Sequence, residues 1–354
     1  MEMSNPKLER LKQLAEKNPD NPKFLEDYAN ALLQDGKIIL ARRLLQKLYK
    51  RLQLKGRDDE ASTLVAAHGK WVAGEEGNVR PVWNGPFLPM EQQGKKSFLK
   101  RKKKRIVREG EVLFRAGDPA DKIYLISEGE LAISIRSEST GPILVNLTYR
   151  GDIVGEGALK HGSVRTADVF ANKDSTLIEF DKRALEDAFF KHPDLRTLLE
   201  DESLLRRKVV SLSRCMPFSL LTLSERIIVA EQSNEKHIPA GTVIQKEDEH
   251  LPYAALIVSG EVEGYFTSSK EKQYSGSLYG NSLIGLSKLY LDCAIPCELV
   301  AKNDVCLLTI PHVVFEDASM AHSKFDACAS EITRVNYAQT METIRILSSD
   351  ALTI

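Results

Sequence analysis

The stretch "IVREGEVLFRAGDPADKIYLISEGEL" at residues 106–131 returns as "HIPAGTVIQKEDEHLPYAALIVSGEV" at residues 237–262. The glycines keep their spacing between the copies, because Gly110 and Gly241 are 131 positions apart and so are Gly129 and Gly260. Each copy consists of short runs of Val, Ile, Leu and Tyr divided by turn residues, which is typical of β-strands. Short strands with glycine turns predict a small barrel or jelly roll, and the repeat predicts two of them.

Helical periodicity surrounds the repeated strands. Residues 181–210, "DKRALEDAFFKHPDLRTLLEDESLLRRKVV", follow the first copy and have helix-like spacing of apolar residues. Residues 6–70 carry leucine and alanine at three-to-four spacing, broken near Gly36, which suits a helix C-cap before a second helix. The predicted fold class is therefore mainly β with helices: two jelly-roll barrels with flanking helices, preceded by an α-helical hairpin segment.

The helical hairpin resembles a tetratricopeptide-type pair, with Tyr28, Ala29, Gly36 and Ala41 in the matching places. That resemblance implies a surface for a protein partner. The alternative is that these helices only cap the rest of the protein.

A proline-rich segment separates the helices from the repeat. Residues 71–104 lose the periodicity, and Pro81, Pro86, Pro89 and Gly94 predict irregular chain. The run from Lys95 to Arg105 holds eight Lys or Arg among eleven residues. A solvated linker is the favoured interpretation, and contact with anionic lipid, nucleic acid or an acidic protein is the alternative. The predicted domains are a helical segment (1–70), a basic linker (71–104), a first barrel (105–214) and a second barrel (215–354).

Composition gives no global reason to expect a nucleic-acid or membrane partner, because 50 acidic residues balance 49 basic ones. No apolar run approaches the roughly twenty residues of a membrane span, and "MEMSNPKLER" has no apolar leader, so we expect a cytoplasmic protein. The five cysteines lack zinc-ribbon spacing and are interpreted as reduced thiols. The histidines at 161, 192, 237 and 250 are scattered, so we expect no metal, no cofactor and no enzyme activity.

The segment "GEGALKHGSVRTADV" at residues 155–169 has the chemistry of a sugar-phosphate site. Gly155 and Gly157 allow the backbone to approach a ligand, and a helix beginning there would offer unpaired N–H groups. Arg165 can present a guanidinium fork to two phosphate oxygens, and Glu156 can accept from a sugar hydroxyl. The structural alternative is a surface ion pair between Glu156 and Arg165.

The pattern "VGEGAL…RTA" resembles the phosphate-binding cassette of cyclic-nucleotide-binding domains, Phe-Gly-Glu-Leu-Ala-Leu, a spacer, then Pro-Arg-Ala/Thr-Ala. The Glu156 to Arg165 interval of nine is common in kinase regulatory members, and the resemblance covers about 105 to 214. Val154, Gly157 and Val164 depart from the pattern. The resemblance implies a cAMP or cGMP ligand, with Thr166 able to reach a guanine amino group. The implied binding residues are Val154, Gly155, Glu156, Gly157, Ala158, Leu159, Arg165, Thr166 and Ala167.

The second copy lacks the charged pair of the first. A shift of 130 aligns "ANKDSTLIEF" with "KNDVCLLTI" and places Leu286 where Glu156 stands and Ile295 where Arg165 stands. A phosphate buried beside leucine and isoleucine would lack its counter-charge. We expect the second barrel to be vacant or to bind an uncharged molecule, and to serve as a dimer surface or a lever.

These patterns together predict a non-catalytic cyclic-nucleotide receptor. Binding in the first barrel would pass through the helices at 182–214 to the second barrel or a protein partner, with Leu204, Leu205 or Val209 closing over the base. A partner would bind the N-terminal helices or the second barrel, and a homodimer stays open. Residues 329–354 leave room for about one helix, which predicts no specific DNA binding, and a cupin-type enzyme would need a histidine and carboxylate cluster. The main alternative is a ligand-independent scaffold or adaptor.

Overall fold

The computed structural model describes residues 6–18, 21–72, 103–137, 141–156, 164–181, 190, 193–268, 271–291 and 293–350. The chain divides into two compact units. One unit is Arg80–Ser213, and the other combines Met1–Val79 with Arg214–Ile354. The N-terminal helices thus belong to the same unit as the second copy of the repeat.

The Arg80–Ser213 unit contains the first barrel. Its strands are β1 (Lys103–Val107), β2 (Val112–Phe114), β3 (Lys122–Ser137), β4 (Gly141–Tyr149), β5 (Ile153–Val154) and β6 (Asp168–Asp181), followed by helix α5 (Pro193–Arg214). They form one antiparallel sheet in the order β1-β6-β3-β4, with β2 on β6 and β5 on β3. Apolar side chains from all six strands, including Val107, Leu131 and Leu177, form its core.

One pair of the repeated glycines, Gly129 and Gly260, lies at a close approach of the backbone, whereas a Cβ on the other pair would meet open space. Gly129 has φ +94° and Gly260 has φ +93°, a left-handed conformation that L-residues with a side chain rarely adopt. A Cβ on Gly260 would lie 2.6 Å from the carbonyl oxygen of Asp304, and one on Gly129 would clash with that of Asp174. The spacing read from the sequence therefore reflects the same close backbone approach in both copies.

Four helices begin the second unit: α1 (Pro6–Lys17), α2 (Pro22–Gln34), α3 (Ile38–Leu54) and α4 (Asp58–Val72). The predicted hairpin around Gly36 is present as α2 and α3, and Gly36 adopts φ +76° between them. Asn21 caps α2 by accepting from the Lys23 backbone N–H, and a proline occupies the first turn. Tyr28, Ala29 and Ala41 are buried in the core that these helices share.

The second barrel follows helix α6 (Leu223–Glu231), whose capping box pairs Thr222 with Glu225. Its strands are β7 (Asn234–Ile238), β8 (Val243–Gln245), β9 (Tyr253–Ser259), β10 (Val262–Ser268), β11 (Glu271–Leu278), β12 (Leu283–Ile284), β13 (Glu298–Ala301) and β14 (Val305–Pro311). They form two antiparallel sheets, β11-β10-β13-β8 and β12-β9-β14-β7. Helix α7 (Ser287–Tyr290) lies between β12 and β13, and α8 (His312–Ala321) and α9 (Ser323–Asp350) follow.

A buried carboxylate joins the N-terminal helices to the second barrel's helices within this unit. Asp317 of α8 accepts from the backbone N–H groups of Ile39 (2.6 Å) and Leu40 (3.0 Å) at the start of α3. Lys37, at the N-cap of α3, makes no side-chain cap of its own. Burial raises the pKa of Asp317 to about 6, although the two backbone hydrogen bonds lower it. Asp317 therefore supplies the missing cap from a distant part of the chain.

The predicted fold class, mainly β with helices and an N-terminal helical segment, is confirmed. The register of 130 also holds in the structure, since β5 at 153–154 corresponds to β12 at 283–284. β6 at 168–181 likewise corresponds to β13 and β14 at 298–311. Within the described residues, the helices include none with the length and apolar character to cross a bilayer.

Candidate functional site

The site begins where β5 ends, at the edge of the first barrel's core. Val154 is fully buried and pairs with Tyr124 of β3. Gly155 then turns the chain with φ +85°. A Cβ at this position would clash with Nη1 of Arg165 and lie 3.1 Å from the carbonyl oxygen of Lys122. Only glycine fits this turn without displacing the arginine.

Arg165 lies directly behind the turn and is only 5% exposed. Its Nη1 donates to the Gly155 carbonyl (3.1 Å), and its Nη2 donates to the Lys122 carbonyl (2.7 Å). The guanidinium carbon lies 4.0 Å from the centroid of the Phe114 ring, in a cation–π contact. Three separate strand ends thus hold the guanidinium in place.

The guanidinium of Arg165 has five N–H donors, and the two hydrogen bonds to carbonyls use two of them. Its Nε is buried and has no hydrogen-bond partner among the described residues. Burial lowers the pKa of Arg165, and the nearby Tyr124, Asp121, Glu156 and Asp118 raise it. A buried cation with an unused donor is suited to an anionic ligand.

Glu156, the acid of the cassette, pairs with a residue that the sequence did not indicate. Its Oε2 lies 3.1 Å from Nη1 of Arg206 on α5, which also donates to the Ile153 carbonyl (2.9 Å). The side chains are 19% and 12% exposed, respectively. The sequence left open an ion pair between Glu156 and Arg165. In the structure Glu156 pairs with Arg206 instead, and the hydrogen bonds of Arg165 go to main-chain carbonyls. The helix after the barrel is therefore linked to the cassette.

The other predicted site residues fall into two groups. Thr166 is exposed beside Arg165, and Ala167 is half-buried against the barrel core. Gly157, Ala158 and Leu159 lie outside the described residues. The three residues expected to close over a base lie on α5, where Leu204 and Leu205 are half-buried and Val209 is buried.

The second barrel repeats the turn without the charges. Gly285 has φ +79°, and a Cβ there would clash with the carbonyl oxygen of Tyr253. The Ile295 carbonyl accepts from Asp248 N–H (3.4 Å), as the Arg165 carbonyl accepts from Gly117 N–H (2.8 Å). Ile295 packs against the barrel core.

Two further positions of the second turn, Leu286 and Gly285, differ from their counterparts in the first turn. Leu286, which occupies the place of Glu156, is 3% exposed. The Gly285 carbonyl lies 3.0 Å from Nε2 of His312, whereas the matching Gly155 carbonyl accepts from Arg165. The equivalence of Leu286 with Glu156 and of Ile295 with Arg165 stays a prediction of the sequence alignment.

Two strand-rich barrels that share this glycine turn define a protein with a tandem repeat of one fold. The profile of the cyclic nucleotide-binding domain matches residues 104–192 and again 235–322, so the chain belongs to the cyclic nucleotide-binding domain family.

Curated relatives include a kinase regulatory subunit and a protein kinase. The chain is 27% identical over 159 residues to a cAMP-dependent protein kinase regulatory subunit of Dictyostelium discoideum, across 44% of this chain and 46% of that protein. It is 26% identical over 156 residues to a cGMP-dependent protein kinase of Caenorhabditis briggsae, across 44% of this chain and 19% of that protein. The chain thus spans less than half the length of these relatives.

Among solved structures, the chain is similar to the regulatory subunit of a cAMP-independent protein kinase A from Trypanosoma brucei, a mutant bound to cAMP in its A site. The identity is 19% and the TM-score is 0.32, over 70% of this chain and 84% of that one.

Proposed function

We propose that the first barrel is a receptor for one cyclic mononucleotide, cAMP or cGMP. The observation that carries this proposal is the buried guanidinium of Arg165, held behind the Gly155 turn with its Nε unpaired among the described residues. A cyclic phosphate carries one negative charge and two exocyclic oxygens, which match a planar guanidinium fork. Membership of the cyclic nucleotide-binding family supports the choice of ligand.

The acid of the cassette would bind the sugar. Glu156 is a half-buried carboxylate on the same turn, and its current partner is Arg206. A ribose hydroxyl donating to Glu156 would compete with Arg206 for the carboxylate oxygens. Ligand binding would in this way shift the equilibrium between two arrangements of α5. The shift can be no larger than the difference in the ligand's affinity for those two arrangements. This competition is the route by which we propose that binding is transmitted.

Base selection is proposed to lie at Thr166. Thr166 is exposed and follows directly after Arg165, and we propose that its hydroxyl binds an amino group of the purine. The curated relatives named above include a cAMP-dependent and a cGMP-dependent kinase protein, so both ligands are tested.

The second barrel is proposed to bind no charged nucleotide. Ile295 and Leu286 are apolar and packed at the positions of the phosphate and sugar ligands. Burying a phosphate there without a counter-charge would cost several kcal/mol, roughly the cost of one unpaired buried ion. One nucleotide per chain is the expected stoichiometry.

Calorimetric titration of the full chain with cAMP, cGMP and a cyclic dinucleotide tests the proposal. We expect saturable binding of cAMP or cGMP with a stoichiometry of one, and loss of that binding in Arg165→Ala. Arg108→Ala is the matched control, because Arg108 is also an arginine of the first barrel unit but its side chain is 73% exposed in a surface pair with Asp174. A stoichiometry of two would refute the vacant second barrel. No binding of either mononucleotide would refute the receptor.

A ligand-independent adaptor is the second candidate, and one observation favours it. Two of the donors of Arg165 already satisfy main-chain carbonyls, so the guanidinium has a structural role without any ligand. The adaptor would bind a protein partner through the N-terminal helices or the second barrel, would have no enzyme activity and would bind no specific DNA. In both candidates the proposed domain limits stay 1–70, 71–104, 105–214 and 215–354. The same titration separates the two candidates.

A further inference from the structure

Three metal-ligand side chains meet on one face of the second barrel. Glu235 and His237 are two residues apart on β7, so both side chains point to the same side of the sheet. Cys306 of β14 is directly opposite His237 in the antiparallel register. One ligand atom from each of the three residues lies within 4.8 Å of the others.

We propose that Glu235, His237 and Cys306 bind a zinc-class divalent cation. A thiolate, an imidazole and a carboxylate form the mixed sulfur, nitrogen and oxygen set that Zn²⁺ prefers, whereas Mg²⁺ and Ca²⁺ prefer oxygen ligands alone. Zinc bonds of about 2.0–2.3 Å in a tetrahedron separate the ligand atoms by about 3.3–3.7 Å. Side-chain rotations that move the ligand atoms by about 1 Å would bring the three atoms to that spacing.

The local surroundings favour entry and retention of the ion. β7 is an end strand of the sheet β12-β9-β14-β7, and His237 is exposed while Glu235 and Cys306 are half-buried. The cation between the two β7 ligands, Lys236, points to the other face, where its Nζ lies 4.4 Å from the Tyr253 ring centroid. Its charge is therefore directed away from the site. Three protein ligands leave a fourth position for water or for a group from another molecule.

The paired backbone supplies the preorganisation that such a site needs. β7 and β14 are joined from Asn234 opposite Thr309 to Ile238 opposite Val305, so the ligands project from a continuous ladder. A bound ion would cross-link the end strand to its neighbour and stabilise the folded state. The spacing along the chain did not reveal this site, because Cys306 and His237 come from strands far apart in sequence.

Cobalt substitution tests the site directly. The full chain, freed of metal with EDTA, is titrated with Co²⁺ and then with Zn²⁺ as competitor. We expect one Co²⁺ per chain, with a sulfur-to-cobalt charge-transfer band and visible bands of tetrahedral coordination, both abolished by Zn²⁺. His237→Ala and Cys306→Ser should each weaken Co²⁺ binding by roughly 100-fold or more, since even outer-shell partners of metal ligands are worth about 10–100-fold.

Cys293→Ser is the matched control, because Cys293 is an exposed free thiol of the same unit and lies outside the trio. It should leave both the charge-transfer band and the affinity unchanged. Absence of a sulfur-to-cobalt band in the wild-type chain would overturn the proposal. A band that survives His237→Ala, or that disappears in Cys293→Ser, would also overturn it.

Urea unfolding keeps the test independent of folding defects. His237 is exposed, so His237→Ala should unfold at the wild-type midpoint in EDTA. Zn²⁺ should raise the wild-type midpoint and leave that of His237→Ala unchanged. Equal stabilisation of both proteins by Zn²⁺ would place the ion elsewhere and refute the assignment.

Discussion

Replacing Arg165 with alanine removes the buried cation on which the proposed receptor depends. In the free protein, the change leaves the carbonyls of Gly155 and Lys122 without their donors and removes the contact with the Phe114 ring. Hydrogen bonds from a charged donor contribute about 1.5–3 kcal/mol each. Relief of the desolvation that lowers the pKa of Arg165 offsets part of this loss, and water can enter the space left by the side chain. We expect a net destabilisation of about 1–3 kcal/mol.

The effect on ligand binding should be larger than the effect on folding. Breaking a buried charge pair from one side costs about 3–5 kcal/mol. That range corresponds to a loss of affinity of about two to four powers of ten. Arg165→Lys should fall between wild type and Arg165→Ala, because an ammonium keeps the charge and cannot donate as a planar fork. Glu156→Gln should cost about 1–3 kcal/mol of binding free energy, since it alters one hydrogen bond to the sugar and leaves the phosphate paired.

Two assays separate folding from binding in these variants. Calorimetry measures nucleotide affinity, and urea unfolding without ligand measures the free energy of unfolding. Wild type at a ligand concentration of 100 times Kd should gain about 2.7 kcal/mol of stability, and Arg165→Ala should gain no more than about 0.4 kcal/mol at the same concentration. If Arg165→Ala binds nucleotide within threefold of wild type, the arginine only braces the turn. Unfolding of the first barrel by Arg165→Ala before any ligand is added would support the same conclusion.

Four further substitutions have distinct expected outcomes. Gly155→Ala forces a side chain into φ +85°, at a cost of about 1–2 kcal/mol, and displaces the arginine, so it should abolish nucleotide binding. Its counterpart Gly285→Ala should destabilise the second barrel in urea unfolding and leave affinity unchanged; equal loss of affinity in both would contradict the one-site proposal. Thr166→Ala should lower the affinity for cGMP by roughly three- to tenfold and barely change the affinity for cAMP, because one neutral hydrogen bond contributes about 0.5–1.5 kcal/mol. An equal loss of affinity for both ligands, measured by calorimetry, would argue against base selection by Thr166. Burial raises the pKa of Glu225, but hydrogen bonds from Thr222, Arg43 and His322 outweigh this effect and lower the pKa to about 2. The stability from Glu225, up to about 3 kcal/mol, is thus fully present above about pH 4.5 and is lost as pH falls through 2. In urea unfolding, the free energy of unfolding of wild type should exceed that of Glu225→Gln at pH 7, and this difference should shrink toward pH 2. A difference in unfolding free energy that does not change with pH would refute the assignment.

Features that repeat in the sequence are predictable because they reflect local backbone demands. Gly129 and Gly260 stand in equivalent left-handed turns, and their 131-residue spacing along the chain is enough to pair them. Gly36 similarly indicates the break between two helices through a C-cap requirement. Each of these predictions needs only the conformation of one residue and the pattern of its neighbours.

Contacts between distant segments could not be read from the sequence. Arg206 is one of two adjacent arginines on α5, and only the packing of that helix selects it as the partner of Glu156. Asp317 caps α3 across 278 positions, and its side chain has no local signal for that role. The ligand trio of the second barrel likewise depends on the register of β7 against β14. Local patterns indicate elements, whereas these pairings depend on how the elements pack.

The two barrels differ in the side chain that lies behind the glycine turn. Both contain the same glycine turn, and in both the glycine carbonyl has a side-chain partner: Arg165 for Gly155, and His312 for Gly285. The second barrel keeps its strands, its turn and its core with isoleucine in the arginine's place. The turn can therefore be built without a buried guanidinium, whose desolvation is costly. The proposed anionic ligand would account for the buried cation of the first barrel, and loss of nucleotide binding in Arg165→Ala is the result that this proposal requires.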